Sequence, residues 1–434
     1  MEVLDFITLL IFMAAFFTLI NVKYLKLPST IGLMLLALGL SLFIILGEWV
    51  FSTLNELATD LMTEYDFSKV LFQVMLSFLL FAGALDVNLN KLGEEKWPIL
   101  ILATVGVMIS TFVVGTAMFF ILPLIGLPID YIYCLLFGAL ISPTDPIAVL
   151  AMIKKTVVSE NLESQIAGES LFNDGVGVVV FLSILGVAAT GVENFHFYTV
   201  LELFAVEVLG GVALGALIGY VGLHLLKIID NNHTEIEVLV TLSMVLGGAS
   251  IAETLHVSGP LAMVVMGLFV GRKGRKKEEE DAAGEYVYKF WHLMDEAMNA
   301  ILFILIGLQI IVIHYKVDYF YGAGIAIVVV LMARFLGVSI PISIMRIKRH
   351  FPKYTIRILT WSGLRGGISV ALALSLYKEN KGLSIDPQIV DIIITMTYCV
   401  VLFSIVVQGL TVGKLFKLAA PKNEEISEVP EKPE

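Results

Sequence analysis

The chain has 434 residues, 58% of them apolar and only 15% charged, with a formal net charge of −11 and a positive mean hydropathy. Apolar runs of about 20 residues recur along its whole length, which excludes an ordinary soluble protein and points to a polytopic membrane protein. Its two cysteines, Cys134 and Cys399, both lie in apolar runs, so no disulfide framework or thiolate metal site is expected. The negative charge falls in loops and the C-terminal tail and implies no nucleic-acid partner.

Taken in order, the apolar runs give thirteen expected spans: 4–24, 29–47, 68–90, 97–123, 130–152, 164–190, 199–227, 233–255, 258–271, 291–315, 323–347, 355–377 and 390–416. The acidic start, Met1 to Asp5, lacks a signal-peptide pattern, so the first run is expected to persist as a membrane helix. Residues 51–66 are too polar to cross and are expected to form an interfacial helix. The ninth run is short for a crossing and is expected to extend into the mixed-charge loop 272–281, which reads as a solvated topology anchor. The tail beyond Leu418 is short, acidic and Pro-containing, and is expected to be disordered.

Most of the 28 lysines and arginines fall on one side of this topology. Lys23, Lys26, Lys91, Lys96, Lys154, Lys155, Lys227, the 272–277 cluster and the stretch from Arg346 to Arg357 share one face, whereas the other holds only Lys69, Lys316, Lys378 and Lys381. Cytoplasmic loops carry such an excess, so the N-terminus is expected outside and the C-terminus inside.

Two spans are broken. The fifth holds Ser142-Pro143-Thr144-Asp145-Pro146, where two prolines remove backbone donors. The twelfth holds Ser362-Gly363-Leu364-Arg365-Gly366-Gly367, where three glycines weaken the helix. The two breaks lie seven spans apart, so one span enters from outside and the other from inside. Spans 1–6 and 8–13 are therefore expected to be inverted repeats joined by span seven, with crossed discontinuous helices at a transport site.

At 1.5 Å per residue, Asp145 lies roughly 22 Å below the outer end of its span. Asp174, Arg334 and Arg365 each lie roughly 15 Å deep in theirs, and these ionisable residues are expected to share one layer of a core about 30 Å thick. Span six contributes Glu169-Ser170-Leu171-Phe172-Asn173-Asp174, whose i,i+4 pairs Glu169/Asn173 and Ser170/Asp174 turn oxygen atoms to one side.

Hard monovalent cations favour such oxygens, together with carbonyls freed at the Thr144-Asp145 break. A desolvated carboxylic acid takes up a proton more readily than one in water, so a group here can hold either a proton or a cation. Asp174 is the expected carrier. Neutral Asn173 leaves one titrating carboxylate, which suggests one ion per proton. Arg334 requires a counter-ion at its depth, and Glu169 is the expected partner in a structural clamp. Arg365 is expected to compensate either Asp145 or the half-helix carbonyl ends. Asp86, Glu202, Glu207, Glu253, Asp295, Glu296 and Asp391 lie near span ends and read as interfacial acids, and the histidines have no metal-site spacing.

The Thr144-Asp145 break, the Glu169 to Asp174 run and Gly363-Leu364-Arg365-Gly366 together resemble the motifs of the monovalent cation/proton antiporters, specifically NhaP-like sodium/proton exchangers related to the animal exchangers. The resemblance implies a homodimer in the cell membrane that needs no cofactor. It implies dimerisation helices at 1–90 and 231–320, core helices at 91–190 and 321–418, a linker helix at 191–230, a tail at 419–434 and elevator-like motion.

The same resemblance implies Na+ bound at Asp174 with Thr144, Asp145 and Ser170, Asn173 as neutral partner, a Glu169–Arg334 bridge, and Arg365 at the crossing. Where some members place a third-span glutamate, this chain has Ala82. The activity implied is electroneutral Na+ or Li+ exchange for H+. The rival readings are K+/H+ exchange on the same fold, a passive channel, and an intramembrane aspartyl protease using Asp145 and Asp174.

Overall fold

The computed structural model describes residues 3–47, 75–153, 159–190, 197–229, 234–277, 282–311, 316–352, 354–379 and 385–419. Among these residues the chain is all-helical, apart from one isolated β-bridge. Nine of the described helices are long and apolar enough to cross a membrane. Four shorter apolar helices, Leu76–Asp86, Tyr131–Ile141, Gly259–Gly271 and Gly367–Tyr377, fall in the third, fifth, ninth and twelfth expected segments. The interfacial helix expected at 51–66 and the tail from 420 onward lie outside the described residues.

Several helices outrun their apolar runs. The ninth continues to Lys277 and the tenth begins at Ala282, nine residues before the apolar run that announced it. A helix keeps its hydrogen-bond ladder past the apolar stretch, so hydropathy marks the bilayer and not the helix end. Segment four is continuous from Lys96 to Ile125 but contains a π turn at Leu102–Gly106, and segment thirteen has one at Ser404–Gln408. Wide turns of this kind leave backbone groups free for partners outside the helix.

The fifth and twelfth segments are discontinuous. Tyr131–Ile141 stops before the two prolines and helix resumes at Ile147–Ile153, while Thr355–Trp361 stops before the glycines and Gly367–Glu379 follows. Asp386 caps segment thirteen by accepting from the Gln388 N–H at 2.9 Å, with Pro387 opening the helix.

The apolar interior forms two clusters. One gathers residues of segments one, two, four to six and ten to thirteen, with Met75 of segment three, and includes Phe137, Phe181, Phe303 and Phe416. The other gathers segments three and seven to nine, with Leu171 of segment six, around Trp291 of segment ten, whose ring lies 4.6 Å from that of Phe81 and whose indole N–H donates to Thr241 at 3.0 Å. Segment ten enters both clusters, with Val287 and Trp291 in the second and Leu302 to Ile306 in the first.

A buried acid ties the ends of three segments. Glu95, which precedes the helix Lys96–Ile101, is fully buried; its carboxylate accepts from Arg349, beyond segment eleven, and from Gln165 Nε2 of segment six at 2.7 Å. Arg349 also donates to the Glu94 carbonyl at 3.1 Å. A charge taken out of water requires this many partners.

Candidate ion site

The two breaks meet. The Asp145 N–H donates to the Leu364 carbonyl at 2.8 Å, an antiparallel bridge between strands of unwound backbone where neither helix could satisfy its own groups. Such a crossing requires close approach: a Cβ on Gly366 would run into the Asp145 carboxylate, and one on Gly363 into the Arg334 guanidinium. Asp145 also accepts from the Ile147 N–H at 2.8 Å, capping the second half-helix of segment five in front of its Pro146.

Arg365 serves the other half. Its guanidinium donates to the Ser142 carbonyl and to the Pro143 carbonyl, the latter at 2.9 Å, placing a positive charge where Tyr131–Ile141 presents unsatisfied acceptors. Of the two partners expected from sequence, Arg365 therefore takes the half-helix carbonyl ends. Each of those two carbonyls already accepts from a cation, which weakens it as a ligand for a second one.

Arg334 is spent on architecture. It makes a bidentate pair with Glu169, one arm at 3.1 Å, and donates through Nε and a terminal nitrogen to the Leu359 carbonyl at 3.2 and 2.9 Å, in the first half-helix of segment twelve. Both side chains are buried. Planar fork geometry suits this double task, which a lysine could not perform.

Segment six closes the site. The Asn173 amide donates to Thr144 Oγ1 at 2.8 Å and accepts from the Thr144 N–H at 3.2 Å, while the Thr144 and Ser170 hydroxyls share a hydrogen bond of 3.0 Å. Thr144, Ser170 and Asn173 thus form one buried polar knot across segments five and six. Next to Asn173, and one turn from Ser170, Asp174 is 8% exposed and makes no hydrogen bond or ion pair with any described residue, and its charge acts on that of Asp145. The structure therefore brings together the eight residues singled out from sequence, with Asp174 the one whose side chain is uncommitted.

Other participants were not expected. Ser404 Oγ accepts from the Arg365 N–H at 2.9 Å and donates to Gln408 Oε1 at 2.7 Å, and Gln408 Nε2 donates to the Trp361 carbonyl at 3.2 Å. The π turn of segment thirteen thereby satisfies backbone groups freed by the break in segment twelve. The available signal was a serine and a glutamine four apart within an apolar run. Ala82 is buried in segment three and brings no ligand atom. Among the described residues no cluster of three or more His, Cys, Asp or Glu has metal-site geometry.

A family description, sodium/hydrogen exchanger, transmembrane, matches residues 11–418. The chain belongs to the sodium/hydrogen exchanger family. It is 45% identical over 419 residues to the Na+/H+ antiporter NhaP of Pseudomonas aeruginosa, covering 95% of this chain and 96% of that one. It is 32% identical over 422 residues to the Na+/H+ antiporter NhaH of Halobacillus aidingensis, covering 95% and 97%. Its fold matches the sodium proton antiporter MjNhaP1 of Methanocaldococcus jannaschii with a TM-score of 0.77 over 97% of this chain and 100% of that one, at 20% identity. Similarity at that level speaks for the shared helical fold alone. The crossing and the acid beside it thus lie within an exchanger-family chain matched over nearly its full length.

Proposed function

We propose that the protein is a secondary active antiporter that exchanges Na+ or Li+ for H+, one for one, through competition of the two at Asp174. One observation carries this reading: in a layer where Glu169, Arg334, Asp145 and Arg365 are all engaged, the nearly buried carboxylate of Asp174 has no partner among the described residues. A buried carboxylate without a donor is costly as a charge, and becomes stable when it binds either a proton or a cation. The names of the relatives, Na+/H+ antiporters, support Na+ as the cation.

In this reading a hydrated cation reaches Asp174, sheds water and takes oxygens from Asp174, Asp145, Thr144 and Ser170, whose hydroxyl knot re-forms once it leaves. Asn173 holds Thr144 in register without adding charge, and the count of one titrating carboxylate makes the cycle electroneutral. Arg365 and Arg334 fix the broken helices so that segments four to six and eleven to thirteen move as one body against the other helices, an elevator-like step within a homodimer. Thirteen crossings, an external N-terminus and residence in the cell membrane complete the proposal, following the lysine and arginine distribution. A proteolytic acid pair fits poorly, since Asp145 is committed to capping a half-helix.

Reconstitution in vesicles containing a pH dye tests the reading. Adding Na+ or Li+ outside should move protons, with K+ without effect; a response to K+ alone would assign the chain to K+/H+ exchange, and no response to any of the three would reject antiport. Competition at one group also requires that lowering the pH raises the apparent KM for Na+ while leaving the rate at saturating Na+ unchanged.

A further inference from the structure

A second set of oxygens lies on segment ten, outside the crossing. The Leu302 side chain packs where a Cβ on Gly367 would stand, next to the glycine that faces Asp145. Asn299 and Asp295 precede Leu302 by three and seven residues and so share its helix face, with Asp295 roughly 10 Å further along the axis toward the Ala282 end of the helix. The side chain of Asn299 is turned toward Asp295 and acts on its carboxylate, which also feels the charges of Asp86, His292 and Asp145.

Asn299 is 4% exposed, and its Oδ1 has no hydrogen-bond partner among the described residues. His292, the cationic candidate of the group, lies 3.8 Å from Glu296 on its own helix. The Asn299 amide N–H donates to the Asp295 carboxylate, and its unsatisfied oxygen, with further carboxylates in electrostatic range, leaves the group richer in acceptors than in donors. Hard monovalent cations bind such oxygens.

We propose that Asp295 and Asn299 form a second, weaker site for a partly hydrated monovalent cation, a station between the side of the protein that carries the basic 272–277 cluster and Asp174. The proposal rests on the antiport reading and adds a binding step to it. Leu302 of segment ten packs on Gly367 of segment twelve, so a cation held two turns away on segment ten sits where the proposed body carrying Asp174 meets the remaining helices. A station at that boundary raises the local concentration of cation without changing the chemistry at Asp174.

The test uses the full-length protein in pH-dye vesicles, with Na+ as the probe. Asp295→Asn and Asn299→Leu should each raise the KM for Na+ about fivefold, with a smaller change in maximal rate, and Asp295→Glu should restore the wild-type KM. A folded Asp295→Asn or Asn299→Leu protein with wild-type KM, or a loss of maximal rate at unchanged KM, would overturn the station. Either variant suffices if the other does not fold. The wild-type control separates the two ideas: no Na+-driven proton movement there rejects antiport itself, whereas normal wild-type exchange with unaltered variants rejects only the station.

Discussion

Glu169 and Asp174 are five residues apart on one helix, yet their surroundings give them different work. Glu169 is held by both arms of a guanidinium that also grips the Leu359 carbonyl, whereas Asp174 has no partner among the described residues. Breaking a buried ion pair leaves the surviving charge uncompensated, which costs about 3–5 kcal/mol. Arg334→Leu is therefore expected to lower the melting temperature markedly, measured by thermal unfolding in detergent. Removing Glu169 as well, in a Glu169→Leu/Arg334→Leu protein, should recover part of that loss. Asp174→Asn, by contrast, should leave the melting temperature at or above that of the wild type, because a partnerless buried charge disappears. The pairing of Glu169 with Arg334 was legible from sequence, since intramembrane charge demands a counter-charge at equal depth. Which acceptor Arg365 would choose was not, because backbone carbonyls leave no mark in the amino-acid code.

At the scale of elements, the molecule depends on two interrupted helices whose loose ends satisfy each other. Asp145 caps one half-helix and bridges to Leu364; Arg365 neutralises the carbonyl end of the other; segment thirteen supplies Ser404 and Gln408 to the remainder. Gly366→Ala would drive a methyl group into the Asp145 carboxylate. Exchange should fall by at least tenfold, a barrier change of about 1.4 kcal/mol, while the protein still inserts and folds; near-normal exchange in this variant would show that the close approach is dispensable. Ser404→Ala strands the Arg365 N–H in an apolar interior and should cost about 1–3 kcal/mol in unfolding experiments. Both breaks were readable, because proline and glycine act on the backbone locally and leave the same signature in any context. The π turn that receives the second break was not, since nothing in Ser404-Ile405-Val406-Val407-Gln408 forbids an ordinary helix. Helix ends beyond the bilayer, as at Ala282, escaped for a related reason: hydropathy reports the solvent and helix continuation does not follow it.

For the whole molecule, the proposed cycle moves one cation against one proton, and the buried clamps define what must stay rigid. Glu169–Arg334 and Glu95–Arg349 both join residues of segments four to six to the region from segment eleven onward, one at the site and one near the helix ends. With no net charge moved, exchange should run at the same rate whether or not a membrane potential is imposed with K+ and an ionophore, and a clear voltage dependence would exclude the one-for-one count. The central claim is that Asp174 alternates between proton and cation. Its most direct test compares Na+-driven proton movement by wild-type and Asp174→Asn proteins in the same pH-dye vesicles. We expect a robust response from the first and none from a folded second; exchange retained by Asp174→Asn would contradict the account.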